Sequence, residues 1–246
     1  MKPTFTLHSL ETGTTYFLLV EAPGESEGPG PWPVVLFMDG DDQFSTAISA
    51  YREARADRSV SPLILVGVGY GASYAKPANK RGRDYTPTPH TDEPTSGGAA
   101  PFLDFLTKTL WPALQARYRV DPNRRGIAGH SLGSLLVLHA LWRQPPFFSD
   151  YLASAPSLWW DNRRILEFAR ERQADDRPLD ARLFLSVGDE DSASMTGDFG
   201  LLEQQLEANP IPGLAVTTRR FARRDHFNVL AEAFRIGLAT LFPATH

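Results

Sequence analysis

Gly129-His130-Ser131-Leu132-Gly133 is the stretch around which the chain is organised. Arg124-Arg125-Gly126-Ile127-Ala128 runs before it with strand character, and Ser134-Leu135-Leu136-Val137-Leu138-His139-Ala140-Leu141-Trp142 follows with apolar residues at helical spacing. Strand, sharp turn and helix form the context in which G-x-S-x-G reads as a nucleophile elbow. The turn must tighten enough to lift the serine Oγ clear of a sheet, which strains the serine backbone. Side chains two residues to either side would collide, so Gly129 and Gly133 fit. The helix then starts at the serine and turns its free amides toward any anion formed there.

Working outward, Val34-Val35-Leu36-Phe37-Met38 and Leu63-Ile64-Leu65-Val66-Gly67-Val68-Gly69 are continuous apolar runs, as central strands covered on both faces require. Thr4–Leu10 and Thr14–Ala22 read as a hairpin about Glu11-Thr12-Gly13. Helices are expected over Gln43–Arg58, with Asp42 as N-cap, and over Phe102–Tyr118, kinked or restarted at Pro112. Val120-Asp121-Pro122-Asn123 reads as a turn. Beyond the elbow, strands are expected at Tyr151–Ser154, Ala181–Val187 and Leu214–Phe221. Helices are expected at Asn162–Arg172 and Phe199–Ala208, with a last one opened by His226 and running to Leu241.

Strands alternating with helices from residue 34 onward define the α/β class: one mostly parallel central sheet, an antiparallel N-terminal edge, and helices on both faces. No repeat, low-complexity tract or linker interrupts the pattern, so residues 1–246 read as one domain. Residues 70–100, rich in Pro and Gly and without periodicity, read as a lid or substrate-contacting loop leaving the carboxyl end of a strand.

The totals exclude several classes. With 25 basic and 29 acidic residues the net charge is −4, which leaves no electrostatic footprint for nucleic acid or an anionic membrane. There are no cysteines, so disulfides, thiolate metal sites and a cysteine nucleophile are ruled out. No H-E-x-x-H or clustered ligand set points to a metal, and no cofactor is expected. The N-terminus lacks the apolar core of a signal peptide and no run is long enough to span a bilayer, so a cytoplasmic location is expected.

Open α/β sheets present their ligands at the carboxyl ends of the strands. Those ends carry Asp39-Gly40-Asp41, then Ser131, then Gly188-Asp189-Glu190-Asp191, then His226. The order serine, acid, histidine is that of α/β-hydrolases. A neutral serine hydroxyl needs a base to take its proton, and His226 is placed for that role. His130 neighbours the serine, but successive side chains diverge at an elbow. His139 lies two turns along the helix, His8 is in the hairpin, His246 is terminal, and His90 sits in the long loop, open to substrate contact. Asp191 is the preferred acid because three residues past Gly188 give the chain room to swing toward the histidine. Asp189 and Glu190 remain alternatives. The oxyanion of an acyl-transfer intermediate needs two backbone donors. The Leu132 N–H is one; Asp41, just past Gly40, is expected to give the other with its carboxylate turned away.

Several blocks together are similar to a known family: Leu36-Phe37-Met38-Asp39-Gly40, Arg83-Asp84-Tyr85-Thr86-Pro87-Thr88, Gly97-Gly98-Ala99, Ile127–Gly133, and Ser154-Ala155-Pro156-Ser157-Leu158-Trp159-Trp160-Asp161. They resemble the putative esterase family, the esterase D-like branch of α/β-hydrolases, and especially its enterochelin-esterase-like members. The resemblance implies an α/β-hydrolase fold, Ser131 and His226 as the catalytic pair, and Asp41 and Leu132 as oxyanion amides. It leaves the acid variable and sets Arg83 and Tyr85 near the substrate mouth. The expected activity is hydrolysis of a small-molecule carboxylic ester through an acyl-serine, with siderophore-type lactones as one substrate class. Trp159, Trp160 and Tyr85 then offer faces for catecholate rings. Acyl transfer by the same serine, or a non-catalytic binding member of the fold, are the alternatives.

Overall fold

A computed structural model describes residues 2, 4–143, 146–175 and 177–244. In chain order its strands are β1 (Phe5–His8), β2 (Thr15–Glu21), β3 (Trp32–Phe37), β4 (Ile64–Gly69), β5 (Val120–His130), β6 (Asp150–Ser154), β7 (Ala181–Gly188) and β8 (Leu214–Phe221). They form one sheet in the order β1-β2-β4-β3-β5-β6-β7-β8. The first two joints are antiparallel and every other joint is parallel, as the alternation of elements predicts.

The apolar runs are explained by where their alternate residues go. Val34 and Leu36 of β3 join the core on one face, whereas Val35 and Phe37 join the other. Tyr151 and Ala153 likewise oppose Leu152 in β6, and Leu183 and Leu185 oppose Phe184 in β7. The second face is covered by α1 (Phe44–Ala56) and α8 (Leu230–Leu241). The first is covered by the other long helices, among them α5 (Leu132–Trp142), α6 (Trp160–Gln173) and α7 (Ala193–Ala208). Among the described residues, no helix is long and apolar enough to cross a membrane.

Several local expectations are corrected. Asp42 does not cap α1; Gln43 occupies that position without a side-chain bond, and the Asp42 carboxylate accepts the Tyr74 N–H at 3.2 Å instead. Residues 81–84 form a short α2 (Arg81–Asp84) inside the long connection. The single helix expected over 102–118 is α3 (Ala99–Asp104), a π-helical stretch (Phe105–Leu110), and α4 (Trp111–Gln115). Pro112 has no N–H to give and its ring displaces the carbonyl one turn back, and the wider stretch ends just before it. Residues 120–123 are the start of β5, with a register shift where a turn was expected. The local Asx bond from the Asn123 N–H to Asp121 Oδ1 is present all the same. Helix α7 begins six residues earlier than its apolar pattern, capped by Ser192 Oγ on the Met195 N–H. Helix α6 starts with Asp161, Asn162 and Arg163 in the left-handed region. Helix α8 starts at Leu230, so His226 stands in the connection before it.

Candidate active site

Strand β5 stops at His130, and Ser131 turns the chain with φ 57° and ψ −119° before α5 begins at Leu132. A Cβ at residue 129 would lie 2.4 Å from the Gly133 carbonyl carbon, and one at residue 133 would lie 3.1 Å from Met38 Cβ. The turn closes that tightly because neither position carries a side chain. Ser131 Oγ lies 3.0 Å from His226 Nε2, and His226 Nδ1 lies 2.8 Å from Asp191 Oδ2. The Asp191 side chain is 3% exposed and that of His226 24%, so the carboxylate is dry while the imidazole keeps one edge open.

Strands β7 and β8 pair as far as Gly188 opposite Phe221, which sets the acid-bearing and histidine-bearing connections side by side. The Asp189 carboxylate is spent on the Arg223 N–H at 2.7 Å, and the Glu190 N–H donates to the Arg224 carbonyl at 2.9 Å. Of the three acids weighed from the sequence, Asp191 is the one in contact with His226. His8 meets Thr15, His90 packs on Trp160, His139 packs on Phe168, and His246 lies outside the described residues.

The Asp41 carboxylate is turned away from the elbow and accepts the N–H groups of Tyr70 and Gly71. Among the described residues, the Asp41 N–H takes no acceptor. The Leu132 N–H, in the first turn of α5, has no acceptor within its own helix. The loop bearing Asp41 is pinned by Asp39, a buried residue at φ 56°. Arg81 grips its two carboxylate oxygens at 2.8 and 3.1 Å, and its N–H donates to the Tyr85 hydroxyl at 2.9 Å. Burial pushes the Asp39 carboxyl upward, and the guanidinium opposes that shift.

The residues expected at a substrate mouth divide. Trp159 is 47% exposed. Trp160 is buried and donates its Nε1–H to the Thr88 carbonyl. Tyr85 is fully buried, and Arg83 is tied to Asp84 and to Thr14 Oγ1 in the N-terminal hairpin. Tyr85 and Trp160 therefore present no ring face to a ligand, because burying an aromatic ring is worth more than exposing it on an unoccupied rim. The long connection is packed only at its middle, where residues 84–86 are buried and Asp84 accepts from Tyr16 and Tyr70 at 2.7 and 3.1 Å; residues 73–78 and 91–95 are exposed.

Three features escaped the sequence. Ser157 Oγ lies 3.3 Å from Ser131 Oγ. Phe227, beside the histidine, is 85% exposed with its ring edge-on to that of His226. His130, set aside as diverging from the serine, packs its ring 4.7 Å from that of His226, with Nδ1 3.1 Å from Ser154 Oγ.

Burial, followed by the nearby His226, pushes the His130 imidazole down to about 3, and burial pushes His139 down to about 4. Both are neutral in the native state near pH 7, whereas each takes up a proton near 6.5 when unfolded. Stability is therefore lost as pH falls below 6.5, by about 2 kcal/mol for each ring between pH 7 and pH 5. Urea unfolding at the two pH values measures this, and His139→Gln is expected to remove its own share. An equal pH response in that variant would show that the ring takes up its proton equally in the native and unfolded states.

The chain belongs to the family described as putative esterase, whose model matches residues 9–232. It is 38% identical over 169 residues to the siderophore triacetylfusarinine C esterase of Aspergillus fumigatus, a match covering 65% of this chain and 57% of that one. It is 28% identical over 245 residues to the ferri-bacillibactin esterase BesA of Bacillus subtilis, covering 91% and 83%. The crystal structure of the BES protein from Bacillus cereus superposes with a TM-score of 0.86 at 26% identity, over 97% of this chain and 93% of that one. The sheet order and these matches establish the α/β-hydrolase fold.

Proposed function

We propose that the chain is a serine hydrolase that cleaves carboxylic esters of the siderophore type through an acyl-serine intermediate. The observation that carries this is the continuous contact from Ser131 Oγ through the His226 ring to Asp191, at the carboxyl end of the sheet. As Ser131 Oγ attacks the ester carbonyl, its proton passes to His226 Nε2. Asp191 holds the Nδ1–H tautomer and steadies the imidazolium. The proton then leaves with the alcohol, and a water repeats the sequence in reverse. The N–H groups of Leu132 and Asp41 receive the oxyanion. The outward turn of the Asp41 carboxylate keeps a negative charge from facing it.

Substrate class is read from the relatives and the rim. Both curated relatives above are named as siderophore esterases, one for a fusarinine and one for a bacillibactin. Trp159 and Phe227 stand exposed beside the serine and histidine loops, as aromatic platforms for a ligand do. Arg83, Tyr85 and Trp160 serve as support, with the buried middle of the 70–98 connection, residues 84–86, backing the loop that carries Asp41 within a single catalytic domain.

The test is incubation with ferric and iron-free trilactone siderophores of catecholate and fusarinine type, followed by mass spectrometry. Ring opening with gain of one water is expected, and a fluorophosphonate adduct on Ser131 is expected to abolish it. Failure to open any trilactone while simple esters are cleaved would remove the substrate class. Failure on every ester, with no adduct, would remove the activity.

A further inference from the structure

Ser157 plays no part in the chemistry above, yet it touches the reacting atom. The residue is 2% exposed, and among the described residues its hydroxyl has one hydrogen-bond partner, Ser131 Oγ, at 3.3 Å. The backbone is shaped to bring it there. Strand β6 ends at Ser154, and the Ala155 N–H donates to the Ser186 carbonyl at 2.7 Å. Ala155 then takes φ 42°, a left-handed conformation that an alanine resists. That reversal lays the next residues over the elbow, where the Ser157 N–H donates to the Ser131 carbonyl at 3.2 Å. Strain of this sort persists where the surroundings enforce it, and it gathers at functional sites.

A serine hydroxyl has one proton and two lone pairs. The Ser131 proton is directed at His226 Nε2, so the Ser157 hydroxyl, with no other acceptor among the described residues, donates to Ser131 Oγ. In the acyl-serine that oxygen belongs to an ester and is a poorer acceptor. When the acyl group leaves, charge returns to Oγ and the donated bond is regained.

We propose that Ser157 is a further catalytic residue, whose hydroxyl stabilises Ser131 Oγ as the leaving atom when the acyl-serine is hydrolysed. The inference rests on the acyl-serine reading. In the step concerned, a water loses its proton to His226 Nε2 while its oxygen bonds to the acyl carbon. The bond from that carbon to Oγ then breaks and its electron pair returns to Oγ. His226 passes the proton back to Oγ, and the carboxylic acid leaves. Free enzyme and departing serine both hold the Ser157 bond more strongly than the acyl-enzyme does. Removing the hydroxyl therefore slows deacylation and leaves acylation nearly unchanged.

The experiment is rapid mixing with p-nitrophenyl acetate, following nitrophenolate release and, by quenching and mass spectrometry, the acetylated Ser131 peptide. Ser157→Ala is expected to slow decay of the acetyl-enzyme about tenfold, the effect of one neutral hydrogen bond. A burst of nitrophenolate should accompany it, with kcat/KM, which reports acylation, held within about threefold. Ser157→Thr should restore the decay rate. An unchanged decay rate, or a fall in decay rate and kcat/KM by the same factor, would overturn the proposal, since a packing defect acts on both. Should Ser157→Ala fail to fold, Ser157→Thr against the nearly isosteric Ser157→Val makes the same comparison. A wild-type protein that never acetylates Ser131 would instead overturn the serine-hydrolase reading.

Discussion

Ser131→Ala is expected to lower kcat/KM for short-chain p-nitrophenyl esters by about three to six orders of magnitude, and His226→Ala by a similar factor. The size follows from the contacts. Ser131 Oγ is 3.0 Å from the one ring nitrogen able to take its proton, and the other nitrogen is held by Asp191 at 2.8 Å. Groups linked in this way act as a unit, so the double variant should be scarcely slower than either single one. Asp191→Asn should keep the fold and lose about two to four orders of magnitude, because an amide oxygen still accepts from Nδ1–H but no longer offsets the imidazolium charge. Asp189→Asn is the control, since that carboxylate serves a backbone N–H and not the ring. Effects that multiply across Ser131 and His226, or an Asp189 effect equal to that of Asp191, would show that the three groups do not share one proton path.

Asp39→Ala is expected to cost about 3 kcal/mol in stability, measured by urea unfolding. Breaking a buried pair by removing one partner costs about 3–5 kcal/mol, because the other charge is left unpaired. The Arg81 side chain keeps 21% exposure, so water recovers part of that cost. Asp39 also stands at φ 56°, where alanine fares worse than asparagine. Asp39→Asn should accordingly lose about half as much, since it tolerates the backbone and still offers an oxygen to the guanidinium. Activity of the folded Ala variant should fall through kcat more than KM, because the loop from Asp39 carries the Asp41 N–H. Equal stability of wild type and Asp39→Ala at pH 7 would show that the pair contributes nothing.

Which parts of the molecule were legible follows from the range of the forces involved. The strands Val34–Phe37 and Ile64–Gly69 could be read because a strand buried on both faces must be apolar throughout. Strand β8 has the bounds its alternation predicted. The start of α7 was hidden by Gly197, which argues against a helix locally although a serine cap and tertiary packing impose one. That Ser131 and His226 would meet could be read because an elbow and a strand end are local patterns. Asp191 was chosen from three acids by chain geometry. Ser157, His130 and the grip of Arg81 on Asp39 carry no local mark, since each depends on a partner brought from elsewhere in the chain. The opposite error befell Tyr85 and Trp160, whose side chains suit a ligand but are worth more inside the protein.

The serine and the histidine stand on unequal ground. Strand β5 is central, with neighbours on both sides, whereas β8 closes the sheet and is bonded among the described strands to β7 alone. Most of its residues are exposed. Edge segments of this kind open at lower free energy than the body of a sheet. An excursion of β8 would carry His226 away from a Ser131 that stays in place, so the contact between them is expected to open at a lower free energy than the fold itself.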